Sequence, residues 1–106
     1  MKKMTKFLLV SAMFTGLPTL AMATEVEEGR KLYVNKQCFV CHGYDGKTTM
    51  MPSYPKLAGQ NYQYLIDQMK NLGSGKRYTI LTAPGIYQNL TTEEMKLIAT
   101  YLSKIK

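Results

Sequence analysis

Cys38-Phe39-Val40-Cys41-His42 gathers both cysteines and the only histidine of a 106-residue chain into five consecutive positions. Nothing else in the sequence narrows the fold so sharply. A length of this order allows one domain, and two cysteines are too few for a disulfide-dense scaffold. A disulfide joining Cys38 to Cys41 would close so short a loop that it would constrain the unfolded chain very little. The stabilising element of this small domain must therefore be something that the five residues hold, rather than a bond between them.

The first two dozen residues read as separate from that domain. Lys2, Lys3 and Lys6 precede an apolar stretch from Phe7 to Met22 that ends in Ala21-Met22-Ala23, and acidic residues follow at Glu25, Glu27 and Glu28. This is the layout of a secretory signal with a small-residue cleavage site after Ala23. Gly16 and Pro18 interrupt the apolar run, which falls short of the ~20 residues a membrane-spanning helix needs. The sequence thus divides into a cleaved signal at 1–23 and a domain at 24–106, placed in the periplasm with no membrane span after cleavage. Removing 23 of the 106 residues leaves 83 and carries away three of the 14 basic residues but none of the seven acidic ones, so eleven against seven leaves +4 of the original +7. The remaining lysines are spread along the chain rather than clustered, which excludes a nucleic-acid-binding role.

The domain reads as all-α. Thr24 with Glu27 three residues later is a capping-box pattern that opens a helix running to about Asn35, with Val26, Gly29 and Tyr33 on one face. A second helix fits Asn61 to Leu72, where Tyr62, Leu65, Ile66, Met69 and Leu72 form one apolar stripe closed by Gly73. Thr91 and Glu94 form a second capping-box pattern, and the helix they open buries Met95, Ile98, Ala99, Leu102 and Ile105. Gly43 to Gly59 and Gly73 to Asn89 carry most of the glycine and proline and read as irregular. Three helices and 83 residues make a thin core, because a chain of this size buries only about 60–65% of the surface its unfolded form exposes. A large apolar cofactor would supply what is missing.

Cys-x-x-Cys-His supplies the means of holding one. Two thiols about one helical turn apart can each add to one vinyl group of a haem, and the adjacent imidazole then sits under the iron as proximal ligand. A thioredoxin-like redox motif would want a βαβ setting that the sequence lacks. A structural zinc site needs four ligands, and cysteine and histidine together offer three.

Around this motif the sequence resembles the small single-haem class I cytochromes c of bacteria. The likeness runs from Gly29 and Tyr33 through Cys38 to Gly43 with Asp45-Gly46. It continues through Pro55-Lys56-Leu57-Ala58-Gly59-Gln60, Tyr64-Leu65, Gln68-Met69 and Gly75-Lys76-Arg77, to Leu90-Thr91, Ala99 and Tyr101. The resemblance implies three main helices wrapped around one covalent haem c, with Cys38 and Cys41 as thioether anchors and His42 as iron ligand. It further implies that Gly29 lets the first helix cross closely against the last near Tyr101, that the Pro55 carbonyl accepts the other ring N–H of His42, and that Arg77 meets a haem propionate. The implied work is single-electron transfer, not catalysis in its own right, with lysines such as Lys47 and Lys56 orienting acidic redox partners. A periplasmic oxidoreductase of which this chain is the haem subunit is one such partner.

The chain departs from the family at one place. Counting back from Leu90, the position where these cytochromes supply a distal methionine holds Ala83. Met69 and Met95 fall on apolar helix stripes and read as core. Met51, in the loop after the motif, is the candidate distal ligand, with Lys76 or Tyr78 as others. If none of them binds, the iron is five-coordinate and takes a small ligand, as a sensor or weak catalyst would.

Overall fold

The computed structural model describes residues 17–77 and 84–106. Among the described residues five helices follow in order: α1 (Leu17–Asn35), α2 (Phe39–His42), α3 (Tyr62–Ser74), α4 (Pro84–Gln88) and α5 (Thr92–Ser103). No strand occurs among the described residues. α1 packs on α5, and α3 packs on both α4 and α5.

α1 departs from the expected start. It begins upstream of Thr24 and includes Leu17 to Ala23, the described end of the segment read as a signal; residues 1–16 of that segment lie outside the described residues. The Thr24 hydroxyl donates to the Leu20 carbonyl (2.9 Å) and does not cap, while Glu27 pairs with Arg30 (2.6 Å) and does not reach back. A capping box forms only where the chain enters the helix. With a helical turn preceding Thr24, its side chain meets the carbonyl four residues back instead. Leu20 and Met22 are exposed.

The crossing of α1 and α5 is fixed by Gly29. A Cβ built there would lie 2.8 Å from both the Leu97 carbonyl carbon and Tyr101 Cβ. Only a residue without a side chain lets the two backbones approach so closely. Four residues on, Tyr33 is fully buried, with its ring 5.6 Å from that of Tyr101.

α3 starts where the sequence places it: the Asn61 side chain accepts from the Tyr64 N–H (3.0 Å). It ends later than expected. Gly73 lies inside the helix, and Gly75, in the left-handed region at φ 79°, is its C-cap. Gly73 serves a different purpose, since its Cβ would meet the Tyr87 carbonyl oxygen at 3.0 Å, so it is the place where α4 approaches α3. α4 itself falls in a stretch that reads as irregular; Pro84 occupies its first position, where a missing N–H costs nothing. At α5 the capping box is present as expected, with the Glu94 N–H donating to the Thr91 hydroxyl (3.1 Å) and the Thr91 N–H to the Glu94 carboxylate (2.9 Å).

The core consists of Tyr33 from α1, Leu65, Ile66 and Met69 from α3, Leu90, and Met95, Ile98, Ala99 and Leu102 from α5. Three residues expected on the stripes of α3 and α5 lie outside it, Leu72 being only half-buried. Tyr62 is exposed at the first position of α3, and Ile105 is only partly buried because the helix stops at Ser103.

Candidate functional site

The motif occupies its own short helix. Between α1 and α2 the backbone turns at Gln37, which has φ 63°, the positive region that side chains other than glycine seldom adopt. The Cys38 N–H still donates to the Tyr33 carbonyl (3.0 Å), and the His42 N–H donates to the Cys38 carbonyl (3.1 Å). Cys38 and Cys41 thus stand one turn apart with His42 beside the second. Both thiols are free and partly buried, and burial pushes the Cys38 thiol up to about 11, so it is held as the neutral thiol.

Gly43 ends α2 at φ 85°, and a Cβ there would sit 2.9 Å from the Thr48 carbonyl carbon. Its carbonyl accepts two hydrogen bonds, from the Tyr33 hydroxyl (2.6 Å) and from the Gly46 N–H (3.1 Å). Asp45 braces the turn that follows, accepting from the N–H groups of Lys47 (2.8 Å) and Thr48 (2.7 Å) and from the Thr48 hydroxyl (2.8 Å). Those bonds stabilise the ionised carboxylate and hold Asp45 down at about 2. The residue after His42 is therefore pinned from both sides of the chain.

His42 Nδ1 lies 2.8 Å from the Pro55 carbonyl oxygen. A carbonyl can only accept, so Nδ1 carries a proton there, and in the neutral ring that leaves the lone pair on Nε2. That nitrogen belongs to a side chain lining a cavity of about 360 Å³, within the range of small-molecule and cofactor sites. Cys38 and Cys41 line the same cavity, and its remaining wall is largely apolar, with Leu57, Leu65 and Ile98 among the contributors. Among the described residues no three His, Cys, Asp or Glu side chains converge as a bare metal ion would need. Two thiols and one imidazole spread along an apolar wall suit a large flat group with a metal at its centre.

The other expected site residues are distributed as follows. Pro55 and Arg77 both line the cavity. The Arg77 guanidinium donates to the Gln68 side-chain carbonyl (2.8 Å) and its N–H to the Asn71 carbonyl (3.0 Å), which holds a cation at the rim. Met51 is 47% exposed and is not among the lining residues; Met50 is more exposed still. Lys76 is exposed, and Tyr78 and Ala83 lie outside the described residues. Two features escaped the sequence reading. The hydrogen bond from Tyr33 to Gly43 spans ten residues and left no local signal, and Gln68 gains its role only when the chain beyond α3 returns Arg77 to it.

Comparison with known proteins gives a consistent set. The family model for cytochrome c matches residues 26–106. A cytochrome c4 from Pseudomonas aeruginosa is 35% identical over 106 residues, which is all of this chain and 50% of that protein. A thiosulfate dehydrogenase electron acceptor from Thiomonas intermedia is 36% identical over 69 residues, covering 65% of this chain and 31% of that one. Among solved structures, an Acidithiobacillus ferrooxidans cytochrome c4 superposes with a TM-score of 0.64 at 36% identity, covering 74% of this chain and 49% of that chain. The chain spans about half the length of the cytochrome c4 relatives that it matches throughout.

Proposed function

The chain belongs to the cytochrome c family, and from that premise we propose that it is a periplasmic carrier of single electrons whose haem c is anchored by Cys38 and Cys41 and ligated by His42. The observation that carries this reading is the meeting of Cys38, Cys41 and a tautomerically fixed His42 on the wall of one apolar cavity. The haem supplies an iron that gains and loses one electron without a change in covalent bonding. The chain's own residues set the conditions. The short helix holds the two thiols at the spacing of a single turn, so that both can anchor one planar group. Pro55, by accepting the Nδ1–H, fixes the imidazole plane and makes Nε2 a stronger donor, which favours the oxidised metal. The apolar wall works in the opposite direction, since it keeps water away and disfavours the extra positive charge. At the rim, Arg77 held by Gln68 offers a cation to an acidic substituent of the group.

The same proposal covers location and partners. Residues 1–23 act as a secretory signal, and cleavage after Ala23 makes Thr24 the start of the mature chain. A net positive surface, with Lys47 and Lys56 exposed, suits acidic redox proteins, which long-range attraction would orient and bring on faster. The electron-acceptor relative supports a partner of the dehydrogenase type, feeding electrons one at a time.

Expression of the full chain in a host that matures c-type cytochromes tests the reading. The expected product retains haem through denaturing electrophoresis, begins at Thr24 and titrates as a single one-electron couple. Replacing Cys38 and Cys41 together by Ala abolishes covalent retention. A wild-type product with no covalent haem sinks the proposal.

A further inference from the structure

We propose that Met69, on α3, supplies the second axial ligand to the iron through its thioether sulfur; this rests on the haem-carrying reading above. A haem iron has two axial positions, and His42, being the only histidine, fills one of them at most. Past Ala23 the chain has four methionines, and the structure separates them clearly. Met50 and Met51 are 70% and 47% exposed and do not line the cavity. Met95 is buried in the core, also away from the cavity lining. Met69 alone both belongs to the buried core and lines the cavity that holds Cys38, Cys41 and His42.

Its backbone is well placed for the task. α3 is capped at both ends, by Asn61 and by Gly75, and is seated by Leu65 and Ile66 one turn before Met69. A ligand on such an element holds its position, whereas the three rotatable bonds of methionine let the sulfur move to meet the metal. The competing donors on the described wall are engaged or, like the phenols of Tyr54, Tyr64 and Tyr87, must lose a proton before they can bind a metal. The Tyr33 hydroxyl is committed to the Gly43 carbonyl, and the Lys36 ammonium lies 3.6 Å from the Glu94 carboxylate. Tyr87 would have to bind as a phenolate, which its burial disfavours. A thioether binds neutral and carries no proton to lose. The iron then has six ligands in both oxidation states, as suits a carrier rather than a site that takes up small molecules.

The test uses the full holoprotein and the variants Met69→Leu and Met51→Leu, the first a swap that conserves core volume. The wild-type ferric protein is expected to be low-spin and to show the charge-transfer band of thioether-ligated haem. M69L should lose that band, turn high-spin and show a lower reduction potential while keeping its covalent haem; M51L should match the wild type in all three. As a measurement that needs no variant, methionine methyl groups labelled in the reduced wild type should include one resonance shifted far upfield by the haem ring. A wild type with no shifted methyl, a high-spin wild type, or an M69L that keeps the thioether band overturns the assignment. Each of those results leaves the carrier reading standing, whereas a wild type without covalent haem overturns both.

Discussion

Replacing Gly29 by Ala pits two effects against each other, and the structure decides between them. In an ordinary helix interior this change is favourable by roughly 0.5–1 kcal/mol, because alanine loses less backbone freedom on folding. Here the new methyl would lie 2.8 Å from the Leu97 carbonyl carbon, 2.8 Å from Tyr101 Cβ, and in overlap with the Leu97 carbonyl oxygen. Carbon–carbon contact is comfortable at about 3.5 Å or beyond, so the carbon contacts alone require α1 and α5 to separate by roughly 0.7 Å at this point, and relief of the overlap with the Leu97 carbonyl oxygen requires more. None of the three neighbours is the movable end of a flexible side chain. The separation therefore reaches Tyr33, Ile98 and Ala99, all essentially inaccessible to solvent. Overpacking of this kind costs about 1–3 kcal/mol, and rigid neighbours put it in the upper part of that range. The net effect is destabilisation by about 1–2 kcal/mol, and at about 4–8 °C per kcal/mol for a domain of this size the midpoint falls by roughly 5–15 °C.

Thermal unfolding of the holoprotein, followed by helical circular dichroism, measures the change. Gly85→Ala is the control: that glycine is exposed in α4, and a Cβ there meets nothing within 4 Å, so the variant should gain about 0.5 kcal/mol or show no loss. A G29A protein as stable as the wild type, or more so, would refute the close crossing of α1 and α5.

Two further outcomes follow from single hydrogen-bonding groups. Tyr33→Phe removes the donor at 2.6 Å from the Gly43 carbonyl, but the Gly46 N–H remains on that oxygen, so denaturant unfolding should show a loss of about 1 kcal/mol rather than the 2–3 of a fully orphaned acceptor. An unchanged midpoint would mean that the hydroxyl does not hold the segment after His42. Asp45 titrates at about 2 in the folded chain, below its ordinary value of 3.8, so its carboxylate stabilises the fold above about pH 4, and that contribution fades as pH falls towards 2. The stability advantage of the wild type over Asp45→Asn should therefore be constant above pH 4 and shrink between pH 4 and 2; an advantage that persists undiminished at pH 2 would contradict the three hydrogen bonds to its side chain.

What the sequence determined by itself is whatever depends on a few consecutive residues. The one-turn spacing of Cys38 and Cys41, the tethering of His42, the Asn61 start of α3 and the Thr91–Glu94 box of α5 follow from local dihedrals and the 3.6-residue period. They appear in the structure as the sequence spells them. Thr24 and Glu27 show the limit of that rule, since the same box pattern is silent once a turn of helix precedes it. Likeness to a family carried some of the rest, for it pointed to Gly29 beside Tyr101 and to the Pro55 carbonyl at His42. Only the tertiary structure decided that Gly73 admits α4 and does not close α3, that Gln68 receives Arg77, and that Tyr33 reaches Gly43. It alone set Met69, which the sequence reads simply as core, on the cavity wall, and left Met51, the candidate that the sequence offers, half exposed and off that wall. The reason is physical: a cap or a turn is settled by the residues within reach of its own backbone, whereas the company a side chain keeps across the chain is settled by how whole apolar faces pack.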